Sequence, residues 1–276
     1  MNVIESIIYG FVSGLAEIFP VSAQANQMVM RQLFGVSQKE PIRDLLVHIA
    51  ILIAIFLSCN GLFSKIRREQ ALAHRMRRNP SQIRSLKGVY DMRLIRSALP
   101  IMVVGLLANL FFTGFYQKRL LFSFVLLVNG VITLVPTYLH LGSKDARSLS
   151  GFDGFVIGFA AALSAIPGIS RNGTIMSVAL VRGAEKENGV NWAMLLAVPA
   201  MIVMALIDII SMFTVGIGTV TFAIFGGYLL SALLAFVGAY FAVSAARMLI
   251  RHGDYAGFAY YDFGLAFLSF VLYLIV

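Results

Sequence analysis

Eight long apolar segments run along this chain, and they constrain its fold more than any other feature. Each is close to the roughly 20 residues that an α-helix needs to cross the hydrocarbon core of a bilayer. They span residues 3–19, 45–63, 97–115, 120–141, 154–181, 191–215, 218–246 and 258–276. The runs are continuous and do not alternate with polar residues, which favours helices over a membrane β-barrel.

Composition leads to the same class of protein. Only 13% of the residues are charged and 59% are hydrophobic, whereas a soluble domain carries about 25% charged residues. The surplus apolar side chains need lipid around them, so the sequence predicts an all-α integral membrane protein with a single polytopic domain over residues 1–276. The first segment lacks a basic leading region and a small-residue cleavage site, so we expect mature structure there and not a signal peptide.

Positive charge is concentrated between the second and third apolar segments. Ten of the 22 Lys and Arg residues lie there, against two acidic residues: Lys65, Arg67, Arg68, Arg75, Arg77, Arg78, Arg84, Lys87, Arg93 and Arg96, with Glu69 and Asp91. Cytoplasmic loops carry an excess of Lys and Arg, so we expect residues 64–96 to form a cytoplasmic loop, with anionic lipid as an added contact. Topology explains this run more simply than a nucleic-acid patch, and we expect no nucleic-acid partner.

Two of the apolar segments are interrupted by a proline and a group of polar residues. Glu17 precedes Pro20 in the first, and Arg171 follows Pro167 in the fifth. A charge at membrane depth is energetically costly and is normally retained with a partner or a ligand. We therefore predict that Glu17 and Arg171 approach each other in a functional site. The alternatives are a snorkelling arginine at a span end and an interfacial or purely structural glutamate.

The two interruptions resemble each other. Residues 15–22 and 163–170 each contain an apolar half-segment, a proline and a serine-containing turn, and a second apolar half-segment follows. Two broken segments at corresponding places indicate an inverted repeat with a binding site near the membrane midplane. We expect the first repeat to cover about residues 1–140 and the second about residues 150–276.

The second break has the chemistry of an anion site. A helix that restarts after Pro167 and Gly168 presents free backbone N–H groups and the positive end of its dipole. Together with Arg171, these donors suit a phosphate or a diphosphate. Irregular backbone at this depth is tolerated only where it is buried or faces water, so a polar cavity is implied.

Asp44, His48 and Asp208 each have two possible interpretations, and Asp262 has one. Asp44 and His48 are four residues apart on a predicted helix, where they form a local pair or face the cavity. Asp208 is either a polar contact within the helix bundle or a site residue. Asp262 follows two tyrosines and is most simply explained as an anchor at the membrane interface.

At these residues the chain resembles the undecaprenyl-diphosphatase family, the bacitracin-resistance membrane phosphatases. The family's first motif is Glu-Gly-Leu-Thr-Glu-Phe-Leu-Pro-Val-Ser-Ser-Thr-Gly-His, and residues 13–26 read Ser-Gly-Leu-Ala-Glu-Ile-Phe-Pro-Val-Ser-Ala-Gln-Ala-Asn. Its second motif is Pro-Gly-x-Ser-Arg-Ser-Gly-Ala-Thr, and residues 167–175 read Pro-Gly-Ile-Ser-Arg-Asn-Gly-Thr-Ile. Residues 44–50 and 195–199 look like two further family motifs, and the order and spacing agree over nearly the whole chain.

The resemblance implies six spanning helices plus two re-entrant helix pairs in an inverted repeat, in the bacterial cytoplasmic membrane. It also implies a site that opens to the outer face, removal of the terminal phosphate of undecaprenyl diphosphate for wall-polymer synthesis, and a divalent cation, Mg²⁺ or Ca²⁺. By matching positions, the implied catalytic residues are Glu17, Ser170 and Arg171, with Glu17 also a candidate metal ligand. The implied phosphate-binding residues are Ser22, Asn26, Gly168, Asn172, Gly173 and Thr174.

Four of the chain's departures from the family motifs change groups that the family resemblance would assign to the chemistry or lie next to Arg171. The leading glutamate of the first motif is Ser13, its second serine is Ala23 and its histidine is Asn26, while Asn172 replaces a serine of the second motif. Asn26 can bind a phosphate but cannot shuttle a proton. Three functions stay open: hydrolysis of the diphosphate, binding and translocation of a polyprenyl phosphate by a protein that has lost the chemistry, and sequestration of the lipid or regulation of a partner.

Overall fold

The computed structural model describes residues 2–36, 39–77, 80–138, 142–252 and 255–275, and this part of the chain is built from helices. Its α-helices are α1 (Val3–Ile18), α2 (Ala23–Leu33), α3 (Pro41–Ser58), α4 (Asn60–Arg75), α5 (Pro80–Ile83), α6 (Lys87–Leu107), α7 (Arg119–Leu134), α8 (Gly151–Ala162), α9 (Arg171–Val181), α10 (Lys186–Thr214), α11 (Phe222–His252) and α12 (Tyr255–Ile275). Short 3₁₀ turns extend α6, α7 and α8.

Six helical stretches are long and apolar enough to cross a membrane. They are Pro41–Ser58, Lys87–Phe112, Leu120–Tyr138, Lys186–Thr214, Phe222–His252 and Tyr255–Ile275. The first apolar segment instead forms α1, which is followed after Pro20 by the short helix α2, and the fifth forms the pair of α8 and α9. The prediction of an all-α integral membrane protein with about six spans is confirmed. Re-entry of the two short pairs into the membrane stays a prediction.

Proline chemistry explains why both short pairs are broken. The residue before a proline is driven out of the helical region of backbone space, and both Phe19 and Ile166 are extended, with ψ of 156° and 117°. Gly168 then has φ +107°, a conformation that residues with a Cβ rarely adopt. Ser22 and Ser170 start the next helices as N-caps, each accepting a hydrogen bond from the amide three residues on.

The same packing device occurs in both halves of the chain. On α1, Cβ atoms added at Gly10 and Gly14 would lie 2.1 and 2.2 Å from the carbonyl oxygens of Ser231 and Ala235 on α11. On α8, Gly154 and Gly158 pack in the same way against Leu94 and Ala98 of α6, at 2.8 and 2.3 Å from their carbonyl oxygens. Glycines spaced four apart allow helix backbones to approach closely in membranes.

The order of elements also repeats. Each half has a short broken pair followed by three spanning helices, and the short pair of each half packs against a spanning helix of the other. Long helices α3 and α10 pack together, as do α7 and α12. Opposite orientation of the halves across the membrane remains a prediction.

The segment 64–96, expected to be a cytoplasmic loop between two spans, is largely helical in its described residues, and its side of the membrane stays a prediction. Helix α4 continues to Arg75, α5 follows, and α6 begins at Lys87. Lys, Arg, Glu, Gln and Ala are good helix formers, and an excess of positive charge predicts a side of the membrane and not a conformation. The Gly88 amide donates a hydrogen bond to the Glu69 carboxylate and joins α4 to α6.

Candidate functional site

Glu17 and Arg171 meet, although 154 positions separate them in the sequence. Arg171 Nη2 lies 3.3 Å from Glu17 Oε2 and donates a second hydrogen bond, of 3.2 Å, to the Glu17 backbone carbonyl. Both residues are buried, with 8% and 9% of their surfaces exposed. The expected approach of the two charges is confirmed, and the snorkelling interpretation of Arg171 is wrong.

Asn172 joins the two helix breaks. Its Nδ2 atom donates to the backbone carbonyls of Glu17 and Ile18 at 2.8 and 2.9 Å. These carbonyls belong to the last turn of α1, where a helix has no internal partner for them. A side chain at the start of α9 therefore satisfies the end of α1 and fixes Glu17 relative to Arg171.

Two backbone amides at the start of α9 are bonded to Ser170. Ser170 Oγ accepts from the Gly173 amide at 3.0 Å, and the Ser170 carbonyl accepts from the Thr174 amide at 3.0 Å. The amides of Arg171 and Asn172 are the remaining ones in the first turn, for which helix geometry supplies no partner. They add a positive partial charge beside the guanidinium.

A small cleft opens between the two breaks. Its lining consists of Ala16, Glu17, Phe19, Val21, Ala23, Gln24, Leu106, Ser164, Ile169, Ser170, Arg171, Asn172 and Met204. One carboxylate, one guanidinium, amide and hydroxyl donors and an apolar wall thus face one space. This combination suits the phosphate head of an apolar molecule.

The remaining residues implied by the family resemblance support the cleft from outside its lining. Ser22 caps α2 through the Ala25 amide, and the Thr174 hydroxyl donates to the carbonyls of Ser170 and Arg171. Gly168 makes the turn, and a Cβ on Gly173 would lie 3.0 Å from the Pro20 carbonyl oxygen.

Asn26 is engaged away from the cleft. Its Nδ2 atom donates to the Ser22 carbonyl at 2.9 Å, and its Oδ1 atom accepts from the Tyr261 hydroxyl. The side chain that stands where the first family motif has histidine therefore helps to hold α2 against α12. Its expected role in binding phosphate has no support in these contacts.

His48 and Asp208 lie directly behind Glu17. His48 Nε2 is 3.9 Å from Glu17 Oε1, and His48 Nδ1 is 2.5 Å from Asp208 Oδ2. The sequence left both residues with two interpretations. His48 faces Glu17, whereas Asp208 makes a polar contact within the helix bundle, and neither side chain is part of the cleft lining. The expected local pair of Asp44 and His48 is wrong, because Asp44 instead accepts from Arg31 at 2.6 Å.

Asp262 is fully buried, so its interpretation as an interfacial anchor is wrong. Asn129 Nδ2 donates to Asp262 Oδ2 at 2.7 Å, and Asn129 Oδ1 accepts from the Ser170 amide at 2.7 Å. One polar pair between α7 and α12 thus holds the start of α9, and no spacing in the sequence pointed to it.

Replacing Asn129 by leucine should destabilise the protein by about 1 to 2 kcal/mol, because the Ser170 amide and the Asp262 carboxylate each lose a buried partner. The double variant Asn129→Leu, Asp262→Leu should lose less than the sum of the two single variants. Denaturant-induced unfolding in detergent micelles measures both differences. Strict additivity would contradict the proposed coupling.

The described residues contain no group of three or more His, Cys, Asp and Glu side chains arranged to hold a metal ion. Glu17 is the carboxylate that lines the cleft, and its Oε2 atom is occupied by Arg171. Ser13, which replaces the first glutamate of the family motif, lies one turn earlier on α1. These donors do not form a protein cage for Mg²⁺ or Ca²⁺, so Glu17 is not assigned as a metal ligand.

Comparison with known proteins agrees with the geometry. Residues 6–268 match the family described as bacitracin resistance protein BacA. The undecaprenyl-diphosphatase of Alkaliphilus metalliredigens is 27% identical, over 95% of each chain, and that of Carboxydothermus hydrogenoformans is 26% identical, over 95% of this chain and 94% of its own. Undecaprenyl-diphosphatase 3 of Bacillus cereus is 27% identical over 99% of this chain and 98% of its own. The chain belongs to the bacitracin resistance protein BacA family.

Proposed function

We propose that this protein is an enzyme that hydrolyses the terminal phosphate of undecaprenyl diphosphate and leaves the monophosphate carrier. The observation that carries the proposal is the meeting of Arg171, the start of α9 and Glu17 around one cleft. The relatives named undecaprenyl-diphosphatase, which match this chain over nearly its full length, support the same substrate.

Binding begins with exchange of partners at Arg171. Its contact with the Glu17 carboxylate is a single hydrogen bond of 3.3 Å between Nη2 and Oε2. A phosphoryl group offers the guanidinium several charged oxygens and a two-pronged geometry that this contact lacks. The amides of Arg171 and Asn172 add two more donors. The phosphate therefore displaces the Glu17 carboxylate from Arg171 and leaves it free to act on water.

Hydrolysis then needs a positioned water and stabilisation of charge. Glu17 accepts a proton from the water that attacks the terminal phosphorus, and the bond to the bridging oxygen breaks with its electron pair on the lipid monophosphate. Arg171 stabilises the charge that develops on the transferred phosphoryl oxygens. Ser170 holds the start of α9 in place through its hydrogen bonds with Gly173 and Asn129.

The apolar part of the cleft lining suits a lipid substrate that stays in the membrane. Leu106, Ile169 and Met204 supply apolar lining next to the charged groups of the cleft, so head group and hydrocarbon can be bound side by side. The proposed location is the bacterial cytoplasmic membrane, with the site open to the outer face. The basic segment 64–96 lies on the cytoplasmic side in this arrangement.

A divalent cation belongs to the same proposal. Mg²⁺ is often bound by one or two carboxylates together with substrate phosphates and water. Because the protein donors alone do not form a cage, we propose that Mg²⁺ or Ca²⁺ enters on the diphosphate. Bound there, it would supply charge neutralisation. Phosphate release should then fall when EDTA is added and recover with excess Mg²⁺.

Purified protein in detergent micelles should release inorganic phosphate from undecaprenyl diphosphate. When hydrolysis is run in ¹⁸O-labelled water, the ¹⁸O atom should appear in the released phosphate and not in the lipid monophosphate, because water attacks the terminal phosphorus. Glu17→Gln should lower kcat by about 10²- to 10⁴-fold, the usual contribution of a general base. Glu187→Gln, at an exposed ion pair with Arg251, is the matched control and should keep wild-type activity.

The alternative function, translocation of a polyprenyl phosphate, predicts a different result in the same assay. Loss of the motif residues replaced by Ala23 and Asn26 motivates it. A carrier would bind the lipid phosphate with a dependence on Arg171 but would release no inorganic phosphate. Movement of labelled lipid across vesicles without release would support the carrier and contradict the enzyme.

A further inference from the structure

We propose that His48, oriented by Asp208, receives the proton that Glu17 takes from water, so that α3 and α10 supply the second acid–base group of the site. This inference rests on the proposed hydrolysis. It assigns a relay of three buried side chains from three different helices, Glu17 on α1, His48 on α3 and Asp208 on α10.

The distances show the order in which the three side chains follow one another. Asp208 Oδ2 is 2.5 Å from His48 Nδ1, and His48 Nε2 is on the side of Glu17, 3.9 Å from Oε1. At most 5% of the His48 and Asp208 side chains is exposed. The imidazole is therefore held firmly at one nitrogen and faces the Glu17 carboxylate with the other.

The proposed relay requires an ionised Asp208 and a neutral His48. An ionised carboxylate only accepts hydrogen bonds, so in the relay the hydrogen of the 2.5 Å contact lies on Nδ1. Nε2 of the neutral ring then carries a lone pair directed towards Glu17. This is the arrangement in which a carboxylate orients a histidine for proton transfer and stabilises the imidazolium that forms.

Lys39 extends the chain of polar groups towards solvent. Its ammonium is 4.0 Å from Asp208 Oδ1 and 3.3 Å from Ser211 Oγ, and its side chain is 36% exposed. Asp44, one turn before His48 on α3, is neutralised by its short contact with Arg31.

The gap between Glu17 and His48 closes during turnover. A separation of 3.9 Å is too long for a hydrogen bond, and Glu17 Oε2 is held by Arg171 in this structure. When a phosphate takes over the guanidinium, the Glu17 carboxylate is released and can move the remaining distance of about 1 Å towards Nε2. Proton transfer is thereby linked to substrate binding.

The proton balance of the step is simple. The water oxygen bonds to the terminal phosphorus, its proton passes to Glu17 and then to His48 Nε2, and the bridging electron pair leaves with the lipid monophosphate. Asp208 keeps its charge and stabilises the imidazolium. The proton returns to solvent when inorganic phosphate leaves, which restores neutral His48 for the next turnover.

Kinetics on the purified full-length protein provides the first test. His48→Gln should lower kcat by about 10²- to 10⁴-fold, and Asp208→Asn by about 10²-fold or more because the tautomer is lost. KM should stay within a few-fold, since Arg171 still binds the phosphate. Asp208→Glu keeps a carboxylate and should recover part of the rate, whereas a purely structural role predicts no such recovery. The exposed His74, changed to Gln, is the control and should leave kcat unchanged.

Histidine NMR provides a second test that does not need turnover, so failure of the relay is distinguishable from failure of the proposed hydrolysis. In isotope-labelled wild-type protein, the signal absent from His48→Gln should show a proton on Nδ1 in a strong hydrogen bond. That proton signal should disappear in Asp208→Asn, and Glu17→Gln should shift the Nε2 resonance. A proton on Nε2 instead, or no response to Glu17→Gln, would overturn the relay whether or not phosphate is released. Near wild-type kcat in His48→Gln would also overturn it.

Discussion

Replacing Arg171 by alanine should lower kcat for phosphate release by about 10³-fold or more, the scale found for arginines that stabilise the transferred phosphoryl group. The guanidinium is the only cationic side chain lining the cleft among the described residues, so its removal leaves the developing charge to two amides. Affinity for the lipid diphosphate should fall as well. Initial rates over a range of substrate concentrations measure both effects.

A conservative variant separates the effect of charge from that of geometry at Arg171, and a second variant serves as a control. Arg171→Lys keeps the positive charge but loses the planar fork, so it should recover binding better than it recovers kcat. Arg251→Ala removes an arginine from an exposed ion pair with Glu187 and should leave both quantities unchanged. Equal activity of wild type and Arg171→Ala, with the variant folded, would contradict the assigned role.

Replacing Gly14 by leucine should prevent the native packing of α1 on α11. A Cβ atom there would lie 2.2 Å from the carbonyl oxygen and 2.9 Å from the Cα atom of Ala235. Backbone cannot yield as a side chain does, so the helices must separate, at about 3 kcal/mol or more. Because Glu17 lies one turn further along α1, activity should be lost together with stability. Thermal unfolding and size-exclusion chromatography in detergent measure the change.

The chain offers a control for this substitution and a corresponding glycine in its other half. Gly226 lies on α11 itself, and a Cβ there would meet no described heavy atom within 4 Å, so Gly226→Leu should be tolerated. Gly158→Leu, facing Ala98 at 2.3 Å, should be as damaging as Gly14→Leu because it removes the corresponding contact of the other half. A stable Gly14→Leu protein would show that α1 does not depend on this close approach.

The sequence was sufficient for features that depend on local chemistry. Apolar segments of spanning length predicted the helices, and Pro20 and Pro167 predicted the two breaks, because proline acts on its own neighbourhood. The approach of Glu17 and Arg171 was also predictable, since a charge at membrane depth needs a partner and each break contributes one charge.

Features that depend on packing between distant helices were not predictable from spacing. His48 and Asp208 are 160 positions apart, and each has a plausible local explanation, so their contact appears only when α3 packs on α10. Asp262 was assigned to the membrane interface because it follows two tyrosines. Its burial results from Asn129 on α7, again a partner from a distant part of the chain. The positive charge of segment 64–96 was evident from the sequence, but its helical conformation was not.

An experimental density map of the protein bound to a polyprenyl methylene-diphosphonate, which cannot be hydrolysed, would test the central claim most directly. The terminal phosphonate should lie in the cleft, within hydrogen-bond distance of the Arg171 guanidinium and the amides at the start of α9. The Glu17 carboxylate should be released from Arg171 and closer to His48. A head group bound elsewhere, with Arg171 still paired to Glu17, would contradict the account.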